Sequence, residues 1–173
     1  CAIRADRIAA CAAEIARRPG VGVVLVHGAG SCGHPQAHRH RRDRGIPPGD
    51  IAGIAETHLA VARLNAAVVE ALKEAGREAV GIHPLGHCVA AGGRLRDPDW
   101  RPVGLLLALG LTPVLHGDVV MDTARGASIV SGDQLVASLA RALSPDRVGL
   151  ATDVSGILGK DGAVLERMRP GQG

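Results

Sequence analysis

Phenylalanine and tyrosine are absent from the 173 residues, and tryptophan occurs once, as Trp100. Without those rings the chain lacks the platforms on which modules for RNA and single-stranded nucleic acid stack bases. Its core must therefore be aliphatic. Long apolar runs are missing too: the longest, Val103 to Leu111, is interrupted by Gly104 and Gly110. That is far short of the roughly 20 residues needed to span a bilayer, so a soluble protein without a membrane partner is expected. The cysteines, Cys1, Cys11, Cys32 and Cys88, form no C-x-x-C pair and no zinc-knuckle or disulfide spacing. Reduced thiols in the cytoplasm are the expectation. Ile3 to Arg17 alternates charge with Ala and Ile, unlike a secretory leader, and the opening Cys1 in place of Met is consistent with a fragment. The formal charge of +3 is modest, with many cations gathered at Arg39 to Arg44 and Arg94 to Arg101. This is not a nucleic-acid footprint.

What is present is an alternation of short β-branched runs and amphipathic stretches, in a chain long enough for one domain. Ile3, Ile8, Ala12 and Ile15 share a helical face until Pro19-Gly20. Gly22 to Val26 reads as a buried strand, and residues 27–49 as loop. From Asp50, a good N-cap, the series Ile51, Ile54, His58, Val61, Leu64, Asn65, Val68 and Leu72 predicts a long helix ending at Gly76. Further on, Ala79 to Ile82 reads as a strand, Val103 to Leu109 as a short helix and Pro113 to Leu115 as a strand. A hairpin is expected over 119–130, a helix from Ser131-Gly132-Asp133, a strand over Arg147 to Ala151 and a hairpin around Gly159 to Gly162. Such units predict an α/β fold, a three-layer α/β/α sandwich around a largely parallel sheet. Ligands of such folds sit beyond the carboxyl ends of the strands. Polar loops fall there at His27 to His34, His116 to Asp118 and Thr152 to Gly156.

The stretch VVLVHGAGSCGH, residues 23–34, satisfies G-x-G-x-x-G with Gly28, Gly30 and Gly33. A dinucleotide site needs the last glycine to open an apolar-periodic helix, and Pro35 to Arg44 has no such period; a Walker loop needs Gly-Lys-Ser/Thr, and no lysine is near. The remaining reading is a turn whose amides cradle an anion, with His34 as an added donor. A tight crossover with no ligand is the bland alternative.

The ordered motifs VHGAGSCGH, PVLHGDVV, SIVSGDQLV and TDVSGIL resemble those of the isopentenyl phosphate kinases of the amino-acid kinase superfamily. The resemblance implies a carbamate kinase-like fold and an ATP- and Mg²⁺-dependent transfer to isopentenyl phosphate in isoprenoid precursor synthesis. By the same resemblance, His34 binds the acceptor phosphate and is placed, with Asp133, in the catalytic set. Ala29 and Gly132 lie beside the acceptor, while Gly28, Gly30, Asp153 and Gly156 serve the nucleotide side. No resident metal ligand is implied, and a homodimer is left open. Departures accompany the likeness: the Lys-x-Gly-Gly-Ser strand that opens the family and the Gly-rich, lysine-bearing segment that closes it are not in the chain. Cys32 stands where Phe is usual and Ser155 where Asp is usual. On this reading residues 1–173 are the central part of a single kinase domain, with negligible turnover alone.

Phosphoryl transfer to an already anionic acceptor asks for positioning and charge neutralisation rather than a strong base, which casts His34 as an anchor. Ile54, Val61 and Ile82 are candidate walls for an apolar tail. A metal cluster of His34, His38 and His40 with Cys32 is disfavoured by the intervening arginines. Two other functions compete with the kinase reading: a sibling kinase for another phosphate or phosphonate, similar to fosfomycin kinases, and a ligand-binding module of the same fold without turnover. His58 and Asn65 on the long helix are further polar candidates, equally readable as satisfied core-edge residues; His116 and Asp118 are better supported, because Gly117 between them sits at a strand end, with a cap of the following turn as the alternative for Asp118.

Overall fold

The alternation of short apolar runs with amphipathic stretches resolves, in a computed structural model, into two sheets and the helices that cover them; residues 3–30 and 51–151, with Gly156 and Val164, are described. The opening face forms α1 (Ala5–Ala16), and the first β-branched run forms β1 (Leu25–His27). The long periodic stretch is α2 (Ile51–Glu74), whose buried face carries Val61, Asn65, Val68 and Leu72. Then come β2 (Ala79–Gly81), a 3₁₀ turn at Pro84–Gly86, β3 (Val89–Ala91) and β4 (Arg94–Arg96). The chain continues through α3 (Arg101–Ala108), β5 (Thr112–His116), β6 (Asp118–Asp122), β7 (Gly126–Val130) and α4 (Gly132–Leu143).

The first sheet is parallel, in the order β1-β5-β2, with Leu25 opposite Val114 and Ala79 opposite Thr112. Its middle strand is buried along its whole length because both faces are covered. Successive side chains of a strand point to opposite faces, and β5 uses this directly. Val114 packs with Ala12, Val68 and Leu72 of α1 and α2. Leu115 packs instead with Val103, Leu135 and Leu139 of α3 and α4. These contacts make the three layers expected from the sequence.

The second sheet, β4-β3-β6-β7, is mixed: β3 pairs antiparallel with β4 and parallel with β6, which pairs antiparallel with β7. Only Gly117 separates β5 from β6, so the two sheets share one chain path. The β6–β7 hairpin was expected; the β3–β4 hairpin was not. Asp122 fastens both hairpins, accepting bonds from the amides of Gly92 (3.0 Å), Gly93 (2.7 Å), Ala124 (2.8 Å) and Arg125 (3.0 Å) and from Ser128 Oγ (2.7 Å). Burial alone would raise the Asp122 pKa, but these donors hold it far below the usual carboxylate range.

One strand expectation is corrected. Residues 147–151 are irregular and exposed: among the described residues no strand lies beside them to take up their backbone hydrogen bonds, and Val148 is their single β-branched residue. The hairpin expected at Gly159 to Gly162 lies outside the described residues. No helix among the described residues is long and apolar enough to cross a membrane.

Candidate active site

Parallel strands deliver their carboxyl ends to one edge, and three runs there end in histidine: His27 closes β1, His116 closes β5, and His83 follows β2 by two residues. The turns beyond them meet backbone to backbone. The His27 carbonyl accepts the Gly117 amide at 3.1 Å. A Cβ on Gly117 would stand 3.4 Å from Gly132 N and from Val130 O; one on Gly132 would stand 3.7 Å from the His27 carbonyl oxygen and 3.5 Å from Val26. At position 117 a side chain would push into backbone, which has little room to give. Glycine there lets the His27 to Gly30 turn, the His116 to Asp118 turn and the start of α4 approach each other closely.

The start of α4 is itself well formed. Ser131 is its N-cap, its hydroxyl accepting the Gln134 amide at 3.3 Å, and Asp133 lies in the first turn, where a carboxylate suits the positive end of the helix dipole.

The imidazoles form a connected array. His27 stacks on His116 with centroids 5.6 Å apart, His116 meets His83 edge-on at 5.2 Å, and His83 meets His58 edge-on at 5.4 Å. Hydrogen bonds fix their protons. A carbonyl only accepts, so His116 Nδ1 donates to the Gly117 carbonyl (3.0 Å), leaving Nε2 to accept from His83 Nδ1 (2.9 Å). His116 is fully buried, and that desolvation is the main reason its pKa falls to about 4, reinforced by the neighbouring His27, His83 and His58 against the opposing pull of the Gly117 carbonyl. His27 is also lowered, again chiefly by burial. Both rings are therefore neutral near pH 7.

Asp118 sits at the head of β6 and is buried. Its Oδ2 accepts from His58 Nδ1 at 2.9 Å and from the Leu85 amide at 3.3 Å; Oδ1 accepts from the Val119 amide at 2.8 Å. Burial pushes its pKa up, and the His58 bond and charge and the two amides pull it back. Beside this pair, Ile54, Leu85 and Ile129 pack against Val119 and Ala127. Of the tail walls proposed from the sequence, Ile54 is in this apolar patch, whereas Val61 is only 1% exposed and Ile82 packs against the main core.

Among the residues proposed from the sequence, the structure thus gathers Gly28, Ala29 and Gly30 with Gly132 and Asp133 at the strand ends. His34 and Asp153, like the His34, His38, His40 and Cys32 grouping, lie outside the described residues. Gly156 packs against Val164, and among the described residues no hydrogen bond links it to those turns. Sequence reasoning passed over His83 and the role of His27; the shared pattern of an apolar run closed by histidine, at Val26-His27, Ile82-His83 and Leu115-His116, was the available signal. Among the described residues no group of three or more His, Cys, Asp or Glu is arranged to hold a metal ion.

This layered α/β/α domain, whose glycine turn, His-Gly-Asp turn and Ser-Gly-Asp helix start share one edge, belongs to the amino acid kinase family, whose profile matches residues 2–169. Within that family the chain is similar to isopentenyl phosphate kinases. It is 46% identical to that of Haloferax volcanii over 120 residues, 67% of this chain and 47% of that one. To the enzyme of Methanothermobacter thermautotrophicus it is 37% identical, over 90% of this chain and 61% of that one. A solved isopentenyl phosphate kinase superposes with a TM-score of 0.84 at 36% identity, over 90% of this chain and 66% of the other. The chain therefore spans less than two thirds of these relatives.

Proposed function

We propose that this chain carries the acceptor side of an ATP-dependent kinase that phosphorylates isopentenyl phosphate to the diphosphate. The observation that carries the reading is the convergence of the turns at His27 to Gly30, His116 to Asp118 and Ser131 to Asp133 on shared backbone contacts, in a chain similar to enzymes of that name. Backbone amides of Gly28, Ala29, Gly30 and Gly132 are the groups suited to phosphoryl oxygens, and the dipole of α4 adds partial positive charge at the same place. His34 anchors the acceptor phosphate, and Asp133 orders cationic groups around the transferring phosphoryl. Because the acceptor is already an anion, catalysis is mostly alignment and charge neutralisation, and the neutral rings of His27 and His116 are not asked to remove a proton. The apolar patch of Ile54, Leu85 and Ile129 suits an alkenyl tail.

Bound ATP with Mg²⁺ would supply the phosphoryl group and part of the neutralising charge. The residues present fit a cation carried on the nucleotide's phosphates, since those gathered here offer amides and the two carboxylates of Asp118 and Asp133, of which Asp118 is held by His58 and two amides, rather than a cage. Asp153 and Gly156 belong to the nucleotide side of this reading. A cytoplasmic location is consistent with it.

The test is ATP turnover with isopentenyl phosphate, coupled to ADP detection, on this chain and on a version extended at both ends to the length of the relatives. The extended protein is expected to turn over, and this chain to be slower by about a hundredfold or more, because preorganised donors to the transferring phosphoryl are missing. Replacing His34 with Asn in the extended protein should raise the acceptor KM and lower kcat together. An extended protein that leaves isopentenyl phosphate untouched overturns the assignment.

A further inference from the structure

Asn65 lies in the middle of α2, only 1% exposed, and its Nδ2 faces two acceptors. Its Nδ2 donates to the Val114 carbonyl at 3.1 Å, a bond that fixes which end of the amide is nitrogen, because a carbonyl cannot donate. The same Nδ2 lies 3.2 Å from His27 Nε2. The other His27 nitrogen, Nδ1, is 3.0 Å from the Gly28 carbonyl and so carries that ring's proton. Nε2 is then a lone pair receiving the second Asn65 N–H. On the far side of the amide, β2 supplies Gly81, where a Cβ would collide with Asn65 Oδ1. A buried polar side chain in a helix facing a strand position with no side chain is an arrangement with little freedom to shift.

His27 is the residue from which the glycine turn departs. Its carbonyl registers Gly117 and borders Gly132, and its ring stacks on His116. A group that fixes the ring's orientation therefore acts on the peptide that begins the turn.

We propose that Asn65, seated against Gly81, is a positioning residue: it holds His27 as the Nδ1–H tautomer and thereby sets the place of the Gly28 to Gly30 turn relative to Gly117 and Gly132. The effect on phosphoryl transfer rests on the kinase reading above; the effect on the ring and the turn does not. Donor and acceptor requirements decide what substitutions do. Asp at position 65 offers only acceptors when ionised, so the lone pair of His27 Nε2 would face an oxygen, and the ring must take a proton on Nε2 or turn away. Leu at position 65 removes both bonds at similar volume. Ala at position 81 displaces the amide while leaving its chemistry intact.

Imidazole nitrogen shifts from two-bond ¹H–¹⁵N spectra of this chain, assigned with His27→Gln, read the tautomer; backbone amide shifts of Gly28, Gly30 and Gly117 read the turn. The wild type is expected to show Nδ1–H at His27. Asn65→Asp should move the proton to Nε2 or populate the imidazolium, and the three glycine amides should shift with it. Gly81→Ala provides the second variant should Asn65→Asp or Asn65→Leu fail to fold, and it is expected to shift the same resonances. In the extended kinase, Asn65→Asp should lower kcat about tenfold or more with a smaller change in the KM for ATP, as expected of lost alignment. An Nε2–H tautomer in the wild type overturns the proposal, as does a switched ring with unmoved glycine amides. A switched ring and moved amides in a protein that never phosphorylates isopentenyl phosphate would refute the kinase reading and leave the positioning role standing.

Discussion

Single residues at this edge of the sheet owe their chemistry to burial more than to their own type. Cys88, directly before β3, is buried among Trp100, Val103 and Val120, and desolvation first and the Asp118 charge second push its pKa up to about 11. At pH 8 only about one thiol in a thousand would then be thiolate, the reactive form. Alkylation of the folded protein by iodoacetamide, mapped by peptide mass, should therefore modify the exposed Cys11 and spare Cys88 until denaturant is added. Labelling of both at equal rates in the native state would contradict the buried environment. The polar residues were legible in the sequence to different degrees. His116 and Asp118 were marked by the glycine between them at a strand end, and Gly132 and Asp133 by the Ser-Gly-Asp helix start. His83 was not, because nothing in a single apolar run says that its neighbour in space will be another histidine. Asn65 could be placed on the buried face of α2 by periodicity, but its partners Val114, His27 and Gly81 come from three strands that only the folded topology brings together.

Elements whose signal is local were readable, and those held by distant partners were not. Helices α1 and α2 and the β6–β7 hairpin follow from apolar period and turn chemistry. The β3–β4 hairpin has Gly92-Gly93 at its turn, both at positive φ, yet strands of three residues bearing Arg94 and Arg96 give no convincing alternation. Its stability comes from Asp122, 30 residues beyond Gly92 in β6, and from Gln134 of α4, whose side chain accepts the Leu95 amide at 3.1 Å. The run at 147–151 is the converse: a short apolar stretch with no partner strand among the described residues. This division predicts which element fails first. Asp122→Ala leaves the amides of Gly92, Gly93, Ala124 and Arg125 without their acceptor and should cost about 2–4 kcal/mol, measured as a shift in urea midpoint. Ser131→Ala, which removes one capping bond from α4, should cost about 1 kcal/mol. Amide hydrogen exchange in Asp122→Ala should rise in β3, β4 and the β6–β7 turn while β1 and β5 keep their protection. Uniform loss across both sheets would mean that the hairpins are not separately anchored.

At the scale of the whole molecule, the packed imidazoles make stability depend on pH in a window set by histidine rather than by carboxylates. His116 binds its proton with a pKa of about 4 when folded, against an ordinary value of 6.5. Between those values the unfolded chain holds more protons than the native one, so stability rises with pH there and is lost as pH falls from about 6.5 towards 4. A shift of that size corresponds to about 3 kcal/mol in order of magnitude, and the lowered pKa of His27 adds to it with the same sign. Asp118 opposes the trend: its raised pKa means the native state takes up a proton more readily than the unfolded chain, which favours folding as pH falls just above the usual carboxylate range. Asp122 has the opposite shift and withdraws its support only below that range. The net expectation is a decline in urea midpoint between pH 6.5 and 4.5 carried mainly by His116. His116→Gln, which keeps a polar side chain but cannot take the proton, should start less stable at pH 7 and show a clearly flatter profile across the same interval. If the variant and the wild type lose stability in parallel from pH 6.5 to 4.5, the buried imidazole is not the group that titrates.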